Sequence, residues 1–181
     1  MSWSDPPRLL PAALGLAASV FLSACTFSPV YGPSPTGRDV AADLSAITIS
    51  LPPKPIDDPI RARVGQKVRN DLIFAFTGGS NAAPSRYGLK LDTVVTQTQL
   101  GVTRIETAPS YSVHVAVSYE LTELPGGRVV ARGVATGVAA FDSFNQAFAN
   151  VRARQDAEDR GASAAADEIR IRLAAALRSG A

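Results

Sequence analysis

The clearest pattern along the chain is an alternation of apolar and polar residues over residues 111–122. Side chains of a β-strand point alternately to opposite faces, so this pattern predicts a strand with one buried face. A Pro-Gly-Gly turn at residues 125–127 predicts a hairpin, and residues 128–140 predict the returning strand. One face of that strand carries Gly and Ala, which suits the close approach of another backbone. The apolar positions of the first strand are Tyr111, Val113, Val115, Val117, Tyr119 and Leu121.

Two weaker alternations and one helical period precede this hairpin. Residues 44–51 and residues 87–95 alternate apolar and polar positions, which predicts two further strands. Between them, Asp58 and Pro59 form a typical helix start, a capping carboxylate followed by proline at the first helical position. The predicted helix ends at Gly78, because glycine favours helix termination. Its apolar stripe recurs every four residues, at Val64, Val68, Leu72 and Phe76.

A second helical period runs from residue 143 to residue 177 and predicts a long amphipathic helix. The stretch SFNQ at its start resembles a capping box. The predicted element order is β-α-β-β-β-α. We therefore expect an α+β fold, a two-layer sandwich in which two helices cover one face of a four-stranded mixed sheet. The apolar arc of the second helix contains Phe144, Phe148, Val151, Ala162, Ala165, Ala166, Ile169, Leu173, Ala176 and Leu177.

The first 24 residues have the pattern of a lipoprotein signal peptide. The uncharged stretch over residues 9–22 is shorter than the roughly 20 residues that span a bilayer as a helix. LSAC at residues 22–25 resembles a lipobox, in which the cysteine is acylated before cleavage. We therefore predict a signal peptide over residues 1–24, a lipidated Cys25 with a proline-rich tether over residues 25–43, and a folded domain over residues 44–181. A secreted protein with an unmodified Cys25, or an uncleaved anchor, is the alternative.

Composition excludes several classes of function. The 181 residues include 18 basic and 16 acidic side chains, a net charge of +2, which gives no basic field for nucleic acid. One cysteine and one histidine, His114, exclude an intramolecular disulfide and a Cys/His zinc cluster. Three acids at residues 156, 158 and 159 are interpreted as surface pairs with neighbouring arginines. Because no set of nucleophile and base emerges either, we expect no enzyme, no metal and no cofactor.

Three stretches resemble the LptE family of lipopolysaccharide-assembly lipoproteins. CTFSPVYG over residues 25–32 is similar to the CGFxPLYG that is usual at the start of the mature family members, from which Thr26 and Val30 depart. The helix around residues 66–72 and the Ala-rich ending over residues 157–177 are similar to the family's helices.

The resemblance implies a lipid-anchored protein on the periplasmic side of the outer membrane. Such proteins bind the LptD β-barrel, sit partly inside it as a plug, and help to deliver lipopolysaccharide to the outer leaflet without catalysis. Thr26 fits this placement, because by resemblance to bacterial sorting rules an Asp after the lipidated cysteine favours the inner membrane instead. The alternative function is an auxiliary lipoprotein of an ABC-type lipid transport system in the cell envelope. A periplasmic enzyme is a third hypothesis, which the thin inventory of catalytic residues disfavours.

Candidate contacts to lipopolysaccharide are three arginines. The family resemblance implies such a role for a basic residue between the second and third strands, a place that Arg104 occupies in VTRI over residues 102–105. Charge alone adds Arg128 and Arg132, because guanidinium groups bind phosphates and carboxylates through paired hydrogen bonds. For each of the three, an ordinary solvated arginine is the alternative.

Overall fold

A computed structural model describes residues 39–52, 58–81, 83–100, 109–143 and 145–179. The predicted signal peptide, the lipobox with Cys25, most of the tether and Arg104 lie outside the described residues.

The chain order of elements follows the predicted one, with one addition. A short helix, α1, precedes the first strand. The elements are α1 (Val40–Ser45), β1 (Ile47–Ser50), α2 (Pro59–Thr77), β2 (Tyr87–Leu100), β3 (Ser110–Glu123), β4 (Val129–Asp142) and α3 (Ala147–Ser179).

Helix α1 corrects the prediction that the first strand begins at residue 44. Leu44 lies in the helix and is buried in the core. The carboxylate of Asp39 accepts hydrogen bonds from the backbone N–H groups of Ala41 and Ala42, at 3.0 and 3.3 Å, and so caps the helix. The buried Asp43 is paired with Arg86 at 2.6 Å, a long-range contact that no local pattern reveals.

The four strands form one mixed sheet in the order β1-β2-β3-β4, which confirms the predicted fold class. β1 runs parallel to β2, and the two pair only over residues 87–90 of β2. β2 pairs antiparallel with β3 along its whole length, and β3 pairs antiparallel with β4. The parallel pair is connected through α2, as a parallel crossover requires.

Helix α2 is bounded as its sequence predicts. The Asp58 carboxylate accepts from the N–H groups of Ile60 and Arg61, and Gly78 ends the helix in the left-handed conformation with φ of 60°. Its apolar stripe faces the core, with Val64, Val68, Leu72 and Phe76 buried.

Helix α3 covers the same sheet face as α2, and its burial begins later than predicted. Phe148 and Val151 were expected in the apolar arc but are exposed, and Ala157 is the first buried residue of the helix. The capping-box prediction is also wrong, because the helix begins at Ala147 and the N–H of Ser143 donates to Pro109 O instead. The side chains over the first turns of α3 are therefore exposed or half-buried.

The core lies between the helices and the inner face of the sheet. The apolar side chains predicted for residues 113–121 are all buried there, while Tyr111 is half-buried. The Ala and Gly face of β4 lies against α3, whereas Val134 and Val138 point away and are exposed. The opposite face of the sheet carries no helix among the described residues.

Candidate functional site

The uncovered face of the sheet, here called the open face, presents side chains from three paired strands. Most of its side chains are small, uncharged and typical of strands. Charged groups concentrate at the end near the β3–β4 hairpin. The side chains of the open face come from residues 90, 92, 94, 96, 98 and 100 of β2, residues 112, 114, 116, 118, 120 and 122 of β3, and residues 132, 134, 136, 138 and 140 of β4.

A row of three charged residues crosses the open face. The register pairs Lys90 with Glu120 and Glu120 with Arg132, so two cations flank one carboxylate on neighbouring strands. Within the described residues, no ion pair within 4.0 Å joins Glu120 to either cation, which leaves both cationic groups available to an anion. Arg132 was predicted from charge alone, but its neighbours Lys90 and Glu120 were not.

A hollow of about 870 Å³ lies over this row. It extends from the end of β1 to β4, and it combines the charged row with apolar side chains of Leu51, Pro52 and Val134. Such a mixture of cationic and apolar groups is chemically suited to an anionic amphiphile.

Arg128 lies at the hairpin and is already engaged. Its Nε donates to a carboxylate oxygen of Glu123 at 3.1 Å, across the turn that joins β3 to β4. Both side chains are largely exposed, so the pair contributes little to stability. Arg128 is therefore a weaker ligand candidate than Arg132.

Of the three predicted arginines, the structure describes only Arg128 and Arg132, both near the hairpin end of the sheet. Arg104 lies outside the described residues, and the strand ends that flank it, Leu100 and Ser110, pair with each other at the far end of β3. The hairpin with Arg128 is at the other end of that strand. A strand of this length spans about 45 Å, so the hairpin end of β3 and its end at Ser110 are far apart.

Helices α2 and α3 are joined by a polar network that sequence reasoning assigned to the surface of α3 alone. Arg63 of α2 donates to Asp159 at 2.5 Å and to the buried Glu158. Partial burial lowers the pKa of the Arg63 guanidinium, but the hydrogen bonds and charges of Asp159 and Glu158 outweigh this, so the pKa is raised. Arg160 and Asp156 do form the predicted i,i+4 pair, at 2.8 Å.

The outer edge of β4 is covered by side chains of α3. Glu168 accepts from the N–H of Thr136 at 2.7 Å, and Arg172 donates to the carbonyl oxygen of Val134 at 2.7 Å. Arg160 donates to the carbonyl oxygen of Ala140 at 2.9 Å. A hydrogen bond with Tyr119 and the Glu168 carboxylate raise the pKa of Arg172. Side chains thus occupy backbone groups that a foreign strand would otherwise pair with.

The described ranges contain neither a metal-binding cluster nor a membrane-spanning helix. They contain no group of three or more His, Cys, Asp and Glu residues arranged to hold a metal ion. No helix in these ranges is long and apolar enough to cross a membrane.

Comparison with known proteins gives one family and several similar folds. The family model described as "LptE: Lipopolysaccharide-assembly" matches residues 44–173. A candidate lipoprotein from Caulobacter crescentus CB15 is similar in structure, with a TM-score of 0.56 and 23% identity over 80% of this chain and 98% of that one. The rare lipoprotein B from Shewanella oneidensis gives a TM-score of 0.49 and 14% identity over 74% of this chain and 94% of that one. No curated protein matches the chain significantly.

Proposed function

Because this chain belongs to the LptE lipopolysaccharide-assembly family, we propose that it partners an LptD-type β-barrel in the outer membrane. In this role it acts as plug and assembly factor of the translocon that inserts lipopolysaccharide into the outer leaflet. The observation that carries the proposal is the family match over residues 44–173, which includes all four strands, α2 and most of α3. The proposed contribution is structural and binding, with no covalent chemistry.

The placement in the cell follows from the proposed anchor at Cys25. Two acyl chains on one cysteine hold a protein stably on a membrane, whereas a single chain binds only marginally. A tether from Cys25 to α1 would leave the folded domain beside the periplasmic surface of the outer membrane. A compact domain whose helices carry many charged side chains is suited to the water-filled lumen of a large barrel.

Lipopolysaccharide contact is proposed at two places on the domain. One is the segment that contains Arg104, on the strength of the family resemblance. The other is the hollow over Lys90 and Arg132, where two exposed cations lie beside apolar side chains. Phosphate groups of a glycolipid would bind the cations, because guanidinium and ammonium groups form charge-assisted hydrogen bonds with them.

The test is isolation of the full chain from cells in mild detergent, followed by identification of the proteins that co-purify. We expect a large outer-membrane β-barrel in stoichiometric amount, and loss of surface lipopolysaccharide when the protein is depleted. Co-purification with an inner-membrane permease instead would contradict the proposal and favour an ABC-type lipid transport system.

The anchor is tested separately by mass spectrometry of the purified chain. We expect an N-terminus at Cys25 that carries acyl groups, and a Cys25→Ser variant that is no longer processed and anchored in this way. An unmodified thiol at residue 25 in the wild-type protein would contradict the proposed placement, even if a barrel still co-purified.

A further inference from the structure

One side of β2 lacks a partner strand for most of its length. β1 pairs with β2 only over residues 87–90, and Pro52 follows the end of β1 two residues later. Proline cannot donate to a strand ladder, so it favours the end of pairing there. β2 continues to Leu100, and along residues 91–100, about 30 Å, no described strand lies on this side.

The hydrogen bonds at β4 show which backbone groups of β2 point to this free edge. Thr136 and Val134 of β4 direct their N–H and C=O groups outward to α3, so the odd-numbered residues of β4 bond to β3. Bonding direction alternates along an antiparallel strand. The odd-numbered residues of β3 therefore bond to β4, and its even-numbered residues bond to β2. The register pairs these with the even-numbered residues of β2, which thus bond to β3. The N–H and C=O groups of Val95, Gln97 and Gln99 therefore face the free edge.

Within the described ranges, this edge lacks the protection that the other two edges have. β1 is only 4 residues long, and α3 side chains occupy the backbone of β4. By contrast, residues 93–100 read TVVTQTQL, with no charge and no proline. All of residues 94–100 except the half-buried Val95 are exposed. Natural sheets place charges, prolines or covering elements on edges that must stay unpaired.

The sequence of the edge is complementary to itself. In an antiparallel pair of two copies centred on Gln97, Val94 of one copy lies opposite Leu100 of the other, and Thr96 lies opposite Thr98. Val94 and Leu100 are each 48% exposed, and this register places them against each other on the open face. No like charges meet across the two-fold axis, because the segment is uncharged.

From this complementarity we propose that β2 is a pairing edge for a second copy of this chain, with a two-fold axis at Gln97. The two sheets then form one continuous antiparallel sheet across the axis. The contact is small, since it consists of one strand pair, so the association is weak and depends on concentration. This inference does not depend on the proposed role in lipopolysaccharide assembly.

The first experiment compares charge variants at the axis by sedimentation velocity of the full chain in detergent over a range of concentrations. Gln97→Lys and Gln97→Glu each place like charges opposite each other, so each should weaken self-association on the order of tenfold. An equimolar mixture of the two variants should restore it, because opposite charges then meet. The matched controls are Gln66→Lys and Gln66→Glu on the exposed face of α2, which should associate like the wild type.

Failure of the mixture to restore association would overturn the proposed axis. A wild-type chain that stays monomeric at all concentrations would overturn the pairing itself. Circular dichroism of each variant verifies that the fold is retained.

The second experiment needs no variant and uses residue-resolved hydrogen exchange on the wild-type chain. The amides of Val95, Gln97 and Gln99 should exchange fast in dilute protein and become protected as the concentration rises. The amides of Val94, Thr96 and Thr98 bond to β3 and serve as the internal control, because their protection should not change. Exchange that is independent of concentration, or protection that appears only with a co-purified β-barrel, would overturn pairing between copies.

Discussion

Gly137 of β4 and Gly161 of α3 lie backbone to backbone. A Cβ atom added at residue 137 would lie 2.8 Å from the carbonyl carbon of Gly161 and 3.0 Å from the amide nitrogen of Ala165. A Cβ added at residue 161 would meet a methyl group of Val115 at 3.0 Å. The absence of side chains at this crossing lets α3 approach the sheet closely and bury its alanines.

The first prediction concerns this contact. Gly137→Ala should destabilise the domain by about 3 kcal/mol, because backbone of α3 must move to make room. Urea denaturation measures the change. The control is Gly65→Ala in α2, where the new Cβ would lie at an ordinary 3.4 Å from Thr93 Oγ1. Because alanine is the better helix former, that variant should be neutral or more stable by about 0.5 kcal/mol. Equal effects of the two substitutions would contradict the close approach.

The second prediction concerns the network between α2 and α3. Arg63→Ala removes the main partner of the Glu158 carboxylate, whose side chain is only 4% exposed. We expect a loss of about 1–2 kcal/mol in the free energy of unfolding, less than for a fully buried pair because Arg63 is partly exposed. Asp156→Ala breaks an exposed ion pair of α3 and should cost no more than about 0.5 kcal/mol. A loss no larger than this for Arg63→Ala would argue against the network.

The third prediction concerns the pH dependence of that network. The folded-state pKa of Arg63 is raised above its unfolded value, so its charge stabilises the fold fully below the unfolded pKa. That stability is lost only as the pH rises through the folded pKa, in the strongly alkaline range. The guanidinium of Arg63 should therefore add no pH dependence between about pH 6 and pH 9. Urea denaturation of the wild type and of Arg63→Ala at both pH values tests this. A difference in unfolding free energy between the two proteins that changes with pH would contradict the prediction.

The fourth prediction concerns the covered edge of β4. Glu168→Ala removes the acceptor of the Thr136 N–H, so the exchange of that amide should accelerate. The free energy of unfolding should fall by about 0.5–1.5 kcal/mol, the usual net value of a hydrogen bond. Asp167→Ala, one residue earlier on the exposed face of α3, should leave the Thr136 amide unchanged. Unaltered exchange in both variants would show that α3 side chains do not protect the edge.

The fifth prediction tests the proposed glycolipid contacts. Arg104→Glu should weaken lipopolysaccharide binding roughly tenfold while the unfolding midpoint stays unchanged, because a charge reversal repels phosphate. Arg152→Glu, an equal charge reversal at an exposed position of α3, is the control and should bind normally. Binding of Arg104→Glu at the wild-type level in a pull-down would remove this residue from the proposal.

A corresponding substitution examines the open face. Residue 132 lies opposite Glu120 in the charged row. Arg132→Glu leaves Lys90 as the one cation of the row beside two carboxylates, so the row becomes negatively charged. If the hollow binds glycolipid phosphates, this variant should also bind more weakly. If Arg132→Glu binds lipopolysaccharide normally and Arg104→Glu binds it weakly, the contact is restricted to the segment between β2 and β3.

The alternation and helical periods of the sequence determined the sheet, the two long helices and the stripe that each helix buries. Local signals sufficed for these features, because Asp58, Gly78 and the Pro-Gly-Gly turn act on the backbone within a few residues. The Gly and Ala face of β4 also predicts the close approach of another backbone, although it does not identify α3 as that neighbour.

The candidate site was less predictable. Arg132 could be named from its charge, but Lys90 and Glu120 join it only through the register of three strands. The partners of Arg63 and the exposure of Phe148 likewise depend on how the two helices lie on the sheet.

Only the tertiary structure decided which backbone edges are covered and which is open. α3 brings Glu168 and Arg172 to the edge of β4, while β1 ends after 4 residues and leaves β2 unpaired beside it. Periodicity reports which face of an element is apolar, because burial repeats with the geometry of the backbone. It carries no record of which residues distant in sequence meet, since those contacts arise from packing the elements together.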